Sequence, residues 1–172
     1  MKLIVYLCGP MAENTPEQAD GWRQEAASLL GSKGFTVTSP MRGKGMLESK
    51  KVMGVHYESY GQVPELTPPS IFARDQFDVR HADIILANMT ELGRAYRNDK
   101  AYREHEYIFV PSIGSDFEIA WAFLLHKPVV LIAPDDNPYA QHPFLKGMSS
   151  LVRFDTMEEG ITWISRNFSV YL

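Results

Sequence analysis

The chain reads as an α/β protein, a flavodoxin-like, doubly wound, five-stranded parallel sheet with helices on both faces. Three observations predict this. Short apolar runs alternate along the chain with segments of helical periodicity. The runs Ile84-Ile85-Leu86-Ala87 and Val129-Val130-Leu131-Ile132 are apolar at every position, as strands covered on both faces must be, whereas a half-solvated antiparallel strand would alternate. Five such strands fit a sheet whose ligands bind at the carboxyl ends of the strands, where the strand order reverses.

Each element follows from local chemistry. Lys2 to Cys8 is a short buried strand stopped by Gly9-Pro10. Thr15-Pro16-Glu17-Gln18 starts a helix, with Thr15 as cap, Pro16 at the first helical position and Gln18 at the third. Ala19, Trp22, Ala26, Leu29 and Leu30 recur at helical spacing, and Gly34 ends the helix. Phe35 to Thr38 is the second strand. Ser70 can cap a helix running to about His81, and Asp83 to Met89 is the third strand. A helix from Ser115 to about His126 leads into a fourth strand, Pro128 to Ile132. Leu151 to Phe154 is a short fifth strand, and Met157 to Phe168 is a closing helix.

The 172 residues suffice for one domain, 1–172, with a full core. Two insertions interrupt it, at about 39–69 and 90–111. Loops of this length in a compact domain serve as lids, interfaces or disordered segments. The first carries Met41-Arg42-Gly43-Lys44-Gly45, which reads either as a flexible surface loop or as an anion-holding segment. The balanced charges of the second fit a solvated helical excursion, a lid or a subunit contact. A net charge of -4 argues against nucleic-acid polymers and anionic membranes as partners. No apolar run approaches the roughly 20 residues of a membrane helix. The first strand is too short for a signal peptide, so cytoplasmic residence is expected. The single cysteine, Cys8, excludes an intramolecular disulfide and reads as a small core residue. The five histidines show no ligand spacing, so no metal site is expected.

The chemistry concentrates at Ser112-Ile113-Gly114-Ser115-Asp116-Phe117-Glu118. With Ser115 as N-cap, Glu118 stands at the third helical position, where free backbone N–H groups and the helix dipole favour an ionised carboxylate. An ionised carboxylate among apolar neighbours is a candidate nucleophile. The same Ser-x-x-Glu spacing is a capping box, in which Glu118 would only satisfy the Ser115 amide. Asp75, early in the preceding helix, and Tyr6, near the end of the first strand, open onto the same sheet edge. Two carboxylates and a phenol there suit cleavage of a glycosidic bond.

Four segments, in order, resemble the nucleoside 2-deoxyribosyltransferase family and its relatives that hydrolyse 2′-deoxynucleoside 5′-monophosphates. They are Tyr6-Leu7-Cys8-Gly9-Pro10, Arg74-Asp75, Ala82-Asp83-Ile84-Ile85-Leu86-Ala87-Asn88, and Gly114-Ser115-Asp116-Phe117-Glu118-Ile119-Ala120-Trp121-Ala122. The resemblance implies a retaining double displacement on a 2′-deoxyribonucleoside. Glu118 would attack C1′, Asp75 would position or protonate the base, and Tyr6 would hold the Glu118 carboxylate. Gly9, Pro10, Asn88, Ser112 and Gly114 would line the substrate. No metal or organic cofactor is implied. The partners implied are a small deoxynucleoside or deoxynucleotide and a free base. A homo-oligomer, a dimer or larger, with shared active sites is also implied, to which Asn137 and Met148 are candidates to contribute.

The chain departs from the transferase pattern at Ser112, where transferases often carry aspartate and the hydrolases commonly carry serine. It departs from the hydrolases at Met11 and Ala12, where their arginine would stand; Arg42, Lys44 or an arginine of the second insertion would have to substitute. Transfer is the leading expectation, hydrolysis of the 5′-monophosphate the alternative, and a non-catalytic nucleotide-binding module a further one, because this fold serves many functions.

Overall fold

In the computed structural model, which describes residues 2–12, 14–42, 64–90, 94–97, 106–109 and 111–171, five parallel strands form the central sheet. They are β1 (Ile4–Cys8), β2 (Thr36–Thr38), β3 (Ile84–Asn88), β6 (Val129–Ile132) and β7 (Leu151–Phe154). Their spatial order is β2-β1-β3-β6-β7, the flavodoxin-like order, and the chain reverses direction across the sheet between β1 and β3. Register is continuous through the centre, with Tyr6 beside Ile85 and Ile85 beside Val129. The strands of β1, β3 and β6 are buried almost throughout, as runs apolar at every position require.

Side chains on the two faces of the sheet form two cores. One face carries Val5, Leu7, Ile84, Leu86, Val130 and Ile132, covered by α1 (Pro16–Ser32) and α6 (Met157–Phe168). The other carries Tyr6, Cys8, Ile85, Ala87, Val129 and Leu131, covered by α2 (Pro68–His81) and α3 (Ile113–Leu124). Alternation along each strand therefore decides which helix layer a residue meets.

Both outer helices begin as local chemistry dictates. Thr15 and Gln18 form a reciprocal capping box with Pro16 at the first position, and Thr156 and Glu159 form a second. Gly34, with φ of 97°, turns the chain out of α1 in the left-handed conformation that favours glycine.

Two helix starts differ from expectation. Helix α2 begins at Pro68 after Thr67, not at Ser70; prolines at the first two helical positions lose no intrahelical bond, so the helix extends back through them. Ser70 instead donates to the Pro64 carbonyl at 3.0 Å. Helix α3 begins at Ile113 rather than at Ser115, with consequences described below. Two single-turn helices that periodicity cannot show, α4 (Pro138–Gln141) and α5 (Pro143–Lys146), follow β6.

The second insertion contains an antiparallel ribbon, β4 (Arg94–Arg97) paired with β5 (Glu106–Phe109), instead of a helical excursion. Backbone pairing between the two ends of the insertion explains the difference, because single-sequence periodicity does not register a short hairpin with balanced charges. Gly43, Lys44 and Gly45 lie outside the described residues. No described helix is long and apolar enough to cross a membrane.

Candidate active site

Strand β1 delivers Tyr6, and α3 delivers Glu118, to one place near the carboxyl edge of the sheet. The Tyr6 hydroxyl donates to Glu118 Oε1 at 2.7 Å, although 112 residues separate the two in sequence. Tyr6 is fully buried and Glu118 nearly so. Burial, reinforced by the Glu118 and Asp75 charges, raises the Tyr6 phenol well above its ordinary pKa, so it remains a proton donor.

Glu118 does not occupy the expected position in its helix. With Ser112 at the N-cap, it is the sixth helical residue, one turn beyond the free N–H groups. The capping-box alternative is thereby excluded, and the dipole argument for its ionisation loses most of its force. Tertiary contacts explain the earlier start. The Tyr139 hydroxyl accepts from the Ser112 N–H at 3.1 Å and donates to Asp116 Oδ1 at 2.8 Å, anchoring the first turn from outside. Ser115 lies inside the helix and shares a hydrogen with the Ser112 hydroxyl at 2.8 Å.

Burial raises the Glu118 pKa to about 7, the largest effect on it. Hydrogen bonds from Cys8 and Tyr6 and the charge of Arg23 act in the opposite direction, while Asp75 adds to the rise. The group is therefore poised between protonated and ionised forms near neutrality rather than held ionised by a helix start. Cys8, read from the sequence as core, is fully buried and also donates to the Ser115 carbonyl at 3.8 Å. Its thiol is raised by burial and by Glu118.

Asp75 is the eighth residue of α2, deeper in its helix than expected. It is 7% exposed, and Arg74 Nε lies 3.4 Å from its Oδ1. Three residues on, buried Asp78 takes both guanidinium nitrogens of Arg42. Arg42, a candidate anion ligand by sequence, is thus engaged with a carboxylate, which raises its pKa.

The remaining candidates divide by what their side chains already do. Gly9 is required by packing: a Cβ there would stand 2.7 Å from the Asn88 carbonyl oxygen and 2.8 Å from the Trp22 ring. Pro10 is buried beside it. Asn88 accepts from the Thr90 N–H at 3.0 Å and hydroxyl at 2.8 Å, closing the turn after β3. Asn137 donates to the Met89 carbonyl at 2.8 Å and accepts from the Tyr139 N–H at 2.9 Å, so both ends of its amide are in use. Ser112 and Gly114 lie in the first turn of α3; a Cβ at Gly114 would meet open space. Met148 lines a cavity of about 520 Å³ on the opposite flank of α3, with Asp116, Ile119, Tyr139, His142 and Phe144, and Glu118 does not line it. Asp83, part of the resemblance, accepts from the Ile4 N–H at 2.8 Å and anchors the start of β1.

Arg23, unremarked in the sequence, is 1% exposed and bonded to the Gly9 carbonyl at 2.7 Å. Its signal was present: it falls within the stripe of Ala19, Trp22, Ala26 and Leu30 that faces the sheet. No group of three or more potential metal-ligating side chains occurs among the described residues.

No family model matches the chain, and no curated protein matches it. Solved structures do. A 2-desoxiribosyltransferase from Leishmania mexicana is 14% identical over 96% of this chain and 98% of that one, with a TM-score of 0.56. The CMP N-glycosidase BcmB of Clostridium botulinum is 15% identical over 95% and 98%, with a TM-score of 0.52. The molybdenum cofactor binding protein of the phototrophic bacterium Rippkaea orientalis is 15% identical over 96% and 97%, with a TM-score of 0.55. At these identities the likeness is one of fold, and the three proteins are named for different functions.

Proposed function

We propose that the protein cleaves the N-glycosidic bond of 2′-deoxyribonucleosides through a covalent deoxyribosyl ester on Glu118 and transfers the sugar to a second base. The observation that carries this is the buried Glu118 carboxylate, held by the Tyr6 hydroxyl at 2.7 Å and electrostatically coupled to Asp75. The likeness in fold to a protein named as a 2-desoxiribosyltransferase and to one named as a CMP N-glycosidase supports the same reading.

In the first step a Glu118 oxygen bonds to C1′ as the C1′–N bond breaks. The electron pair leaves with the base, which Asp75 orients and which takes up a proton from solvent. The ionised carboxylate stabilises the cation-like sugar in between. In the second step a nitrogen of the incoming base bonds to C1′ as the C1′–O bond to Glu118 breaks, and the base gives up its N–H proton to solvent. Tyr6 keeps the carboxylate oriented and, by donating a hydrogen bond, favours its ionised form.

Brief exposure to a 2-fluoro-2-deoxyribosyl nucleoside, followed by intact-mass analysis, tests the mechanism. Fluorine at C2′ disfavours the cation-like transition state and slows breakdown of the ester. An adduct on Glu118 is expected; an adduct elsewhere, or none with turnover intact, overturns the assignment.

Hydrolysis of a nucleoside 5′-monophosphate is the second reading, favoured by Ser112, which stands where the hydrolase relatives carry serine. Deoxyadenosine with cytosine, and dAMP in parallel, separate the two. Base exchange on the nucleoside supports transfer, and base loss confined to the phosphate supports hydrolysis.

The protein also acts as a homo-oligomer in this proposal. Phe72 of α2 packs edge-on against Trp121 of α3 with ring centroids 5.1 Å apart, and Phe117 flanks Trp121 at 5.8 Å. Phe72, Phe117 and Leu124 are 51, 53 and 72% exposed. An apolar surface of that kind is one that a second copy covers.

A further inference from the structure

We propose that Tyr139 is a positioning residue for Glu118: its phenol holds the start of α3 at Ser112 and so keeps the Glu118 carboxylate on the Tyr6 hydroxyl rather than on the backbone of its own helix. The consequence for turnover rests on the reading of Glu118 as the reacting carboxylate; the consequence for where the carboxylate lies does not.

Two helix starts compete for one carboxylate. Ser115-Asp116-Phe117-Glu118 has the spacing of a capping box. In a helix capped at Ser115, the Glu118 carboxylate accepts from the Ser115 N–H and the Ser115 hydroxyl accepts from the Glu118 N–H. The helix observed is capped at Ser112 instead. Both side chains of the box are engaged elsewhere: Ser115 Oγ with Ser112 Oγ at 2.8 Å, and Glu118 Oε1 with the Tyr6 hydroxyl at 2.7 Å. A carboxylate drawn back one turn to its own N-cap is drawn away from the strand that carries Tyr6.

Local chemistry favours the start that is not used. Ser112 makes no side-chain capping bond, whereas serine followed by glutamate at the third position is a strong helix-start signal. What reverses the preference arrives from α4. The Tyr139 hydroxyl accepts from the Ser112 N–H at 3.1 Å and donates to Asp116 Oδ1 at 2.8 Å, spanning the first turn. A hydroxyl bonded to a carboxylate is stronger than a pair of neutral groups. The bridge satisfies the N–H of the N-cap residue and ties down the next turn with the same oxygen.

The phenol is itself fixed to the sheet. Tyr139 is 8% exposed, and its N–H donates to Asn137 Oδ1 at 2.9 Å. Asn137 donates to the Met89 carbonyl at 2.8 Å, and the Met89 N–H donates to the Ile132 carbonyl at 2.9 Å. The start of α3 is therefore set by the carboxyl ends of β3 and β6 rather than by its own residues. Cys8 Sγ meets the Ser115 carbonyl at 3.8 Å, but both starts keep that carbonyl in the helix, so Cys8 does not choose between them. Glu118 is held from two sides: Tyr6 binds the carboxylate directly, and Tyr139 fixes the helix that carries it.

The test compares wild type, Tyr139→Phe, Ser115→Ala and the double variant. Phenylalanine keeps the ring and removes both bonds of the phenol; alanine removes the competing cap. Cα and Cβ chemical shifts of residues 112–118 read the helix start, and nuclear Overhauser contacts between the Tyr6 ring and the Glu118 methylenes read where the carboxylate lies. Wild type and Ser115→Ala should show helical shifts from Ile113 and equal kcat/KM. Tyr139→Phe should show extended shifts at Ser115, weakened Tyr6–Glu118 contacts and kcat/KM lower by about tenfold, the effect of losing one hydrogen bond to a charged group. The double variant should regain the Tyr6–Glu118 contacts and most of the activity, because no cap is left to take the carboxylate. Wild-type shifts in Tyr139→Phe overturn the proposal. So does a loss that Ser115→Ala fails to repair, which would make Tyr139 a general anchor of α3. Should Tyr139→Phe not fold, amide exchange of wild type decides: a Ser112 N–H that exchanges as a free amide overturns the proposal, and a protected one supports it. The NMR measurements need no turnover. A protein that cleaves no glycosidic bond but shows the shifted helix start therefore defeats the proposed function and leaves the placement of Glu118 by Tyr139 intact.

Discussion

In the proposed function Glu118 carries two opposed demands: burial would shield a sugar ester from water, and burial makes its charge unfavourable. A pKa of about 7 is the balance reached. If, as proposed, the ionised form attacks, kcat/KM should rise with pH through about 7 and then level off. Glu118→Gln should abolish turnover, because an amide forms no sugar ester. The neighbours should shift the limb in opposite directions. Tyr6→Phe removes a donor to the carboxylate, which should raise the limb and lower kcat/KM by roughly tenfold to a hundredfold. Asp75→Asn removes a like charge, which should move the limb down while slowing base departure. Steady-state kinetics from pH 5 to 9, each limb fitted separately, checks both signs; limbs moving in the same direction would contradict this electrostatic account. At this scale the sequence singled out Glu118, Asp75 and Tyr6 as residue types, and the structure joins Tyr6 to Glu118 by a hydrogen bond. The burial of Arg23 was readable from its place in an apolar stripe, but its bond to the Gly9 carbonyl was not, because nothing local to the helix says which strand end the side chain reaches.

Elements differ in how much of their placement is local. Helix α6 was legible to the residue, since Thr156, Glu159 and the following apolar positions encode its start and buried face within the segment itself. Its packing is tight: a Cβ on Gly160 would lie 2.5 Å from Ile132 Cδ1 and 3.1 Å from Val130 Cγ1. Gly160→Ala should therefore destabilise the fold by about 1–3 kcal/mol, read as a lower urea midpoint at unchanged m-value. Helix α3 was not legible in this way. Ser115 and Glu118 have the spacing of a cap, yet Tyr139, 27 residues beyond Ser112, holds the helix start three positions earlier. Bonds that arrive from another element leave no local periodicity to read.

Across the whole molecule, the site imposes a stability cost with a defined pH dependence. The folded-state pKa of Glu118, about 7, exceeds the usual carboxylate value, so the native state binds the additional proton. Stability should accordingly fall as pH rises from the ordinary glutamate range to about 7, by up to about 3 kcal/mol, and change little with this group outside that window. Glu118→Gln should remove that slope and be the more stable protein at pH 8. Thermal melts of both proteins from pH 4 to 8.5 make the comparison; parallel curves would refute it. In sedimentation, wild type should run as a dimer or larger, and the paired change Phe117→Asp, Leu124→Asp should release monomer.

What the amino-acid sequence determined unaided was the central sheet and its strands. Strands apolar on every residue and caps with reciprocal partners are properties of contiguous segments, and they sufficed for the order of the five strands and of the four longer helices that cover them. Tertiary structure alone decided the chemical condition of Glu118. Desolvation of Glu118, the Tyr6 hydroxyl upon it, the opposing charges of Asp75 and Arg23, and the Tyr139 contact that starts α3 all depend on groups brought together from distant parts of the chain. Electrostatic energies depend on distance and on exclusion of water, and neither exists until the layers have packed.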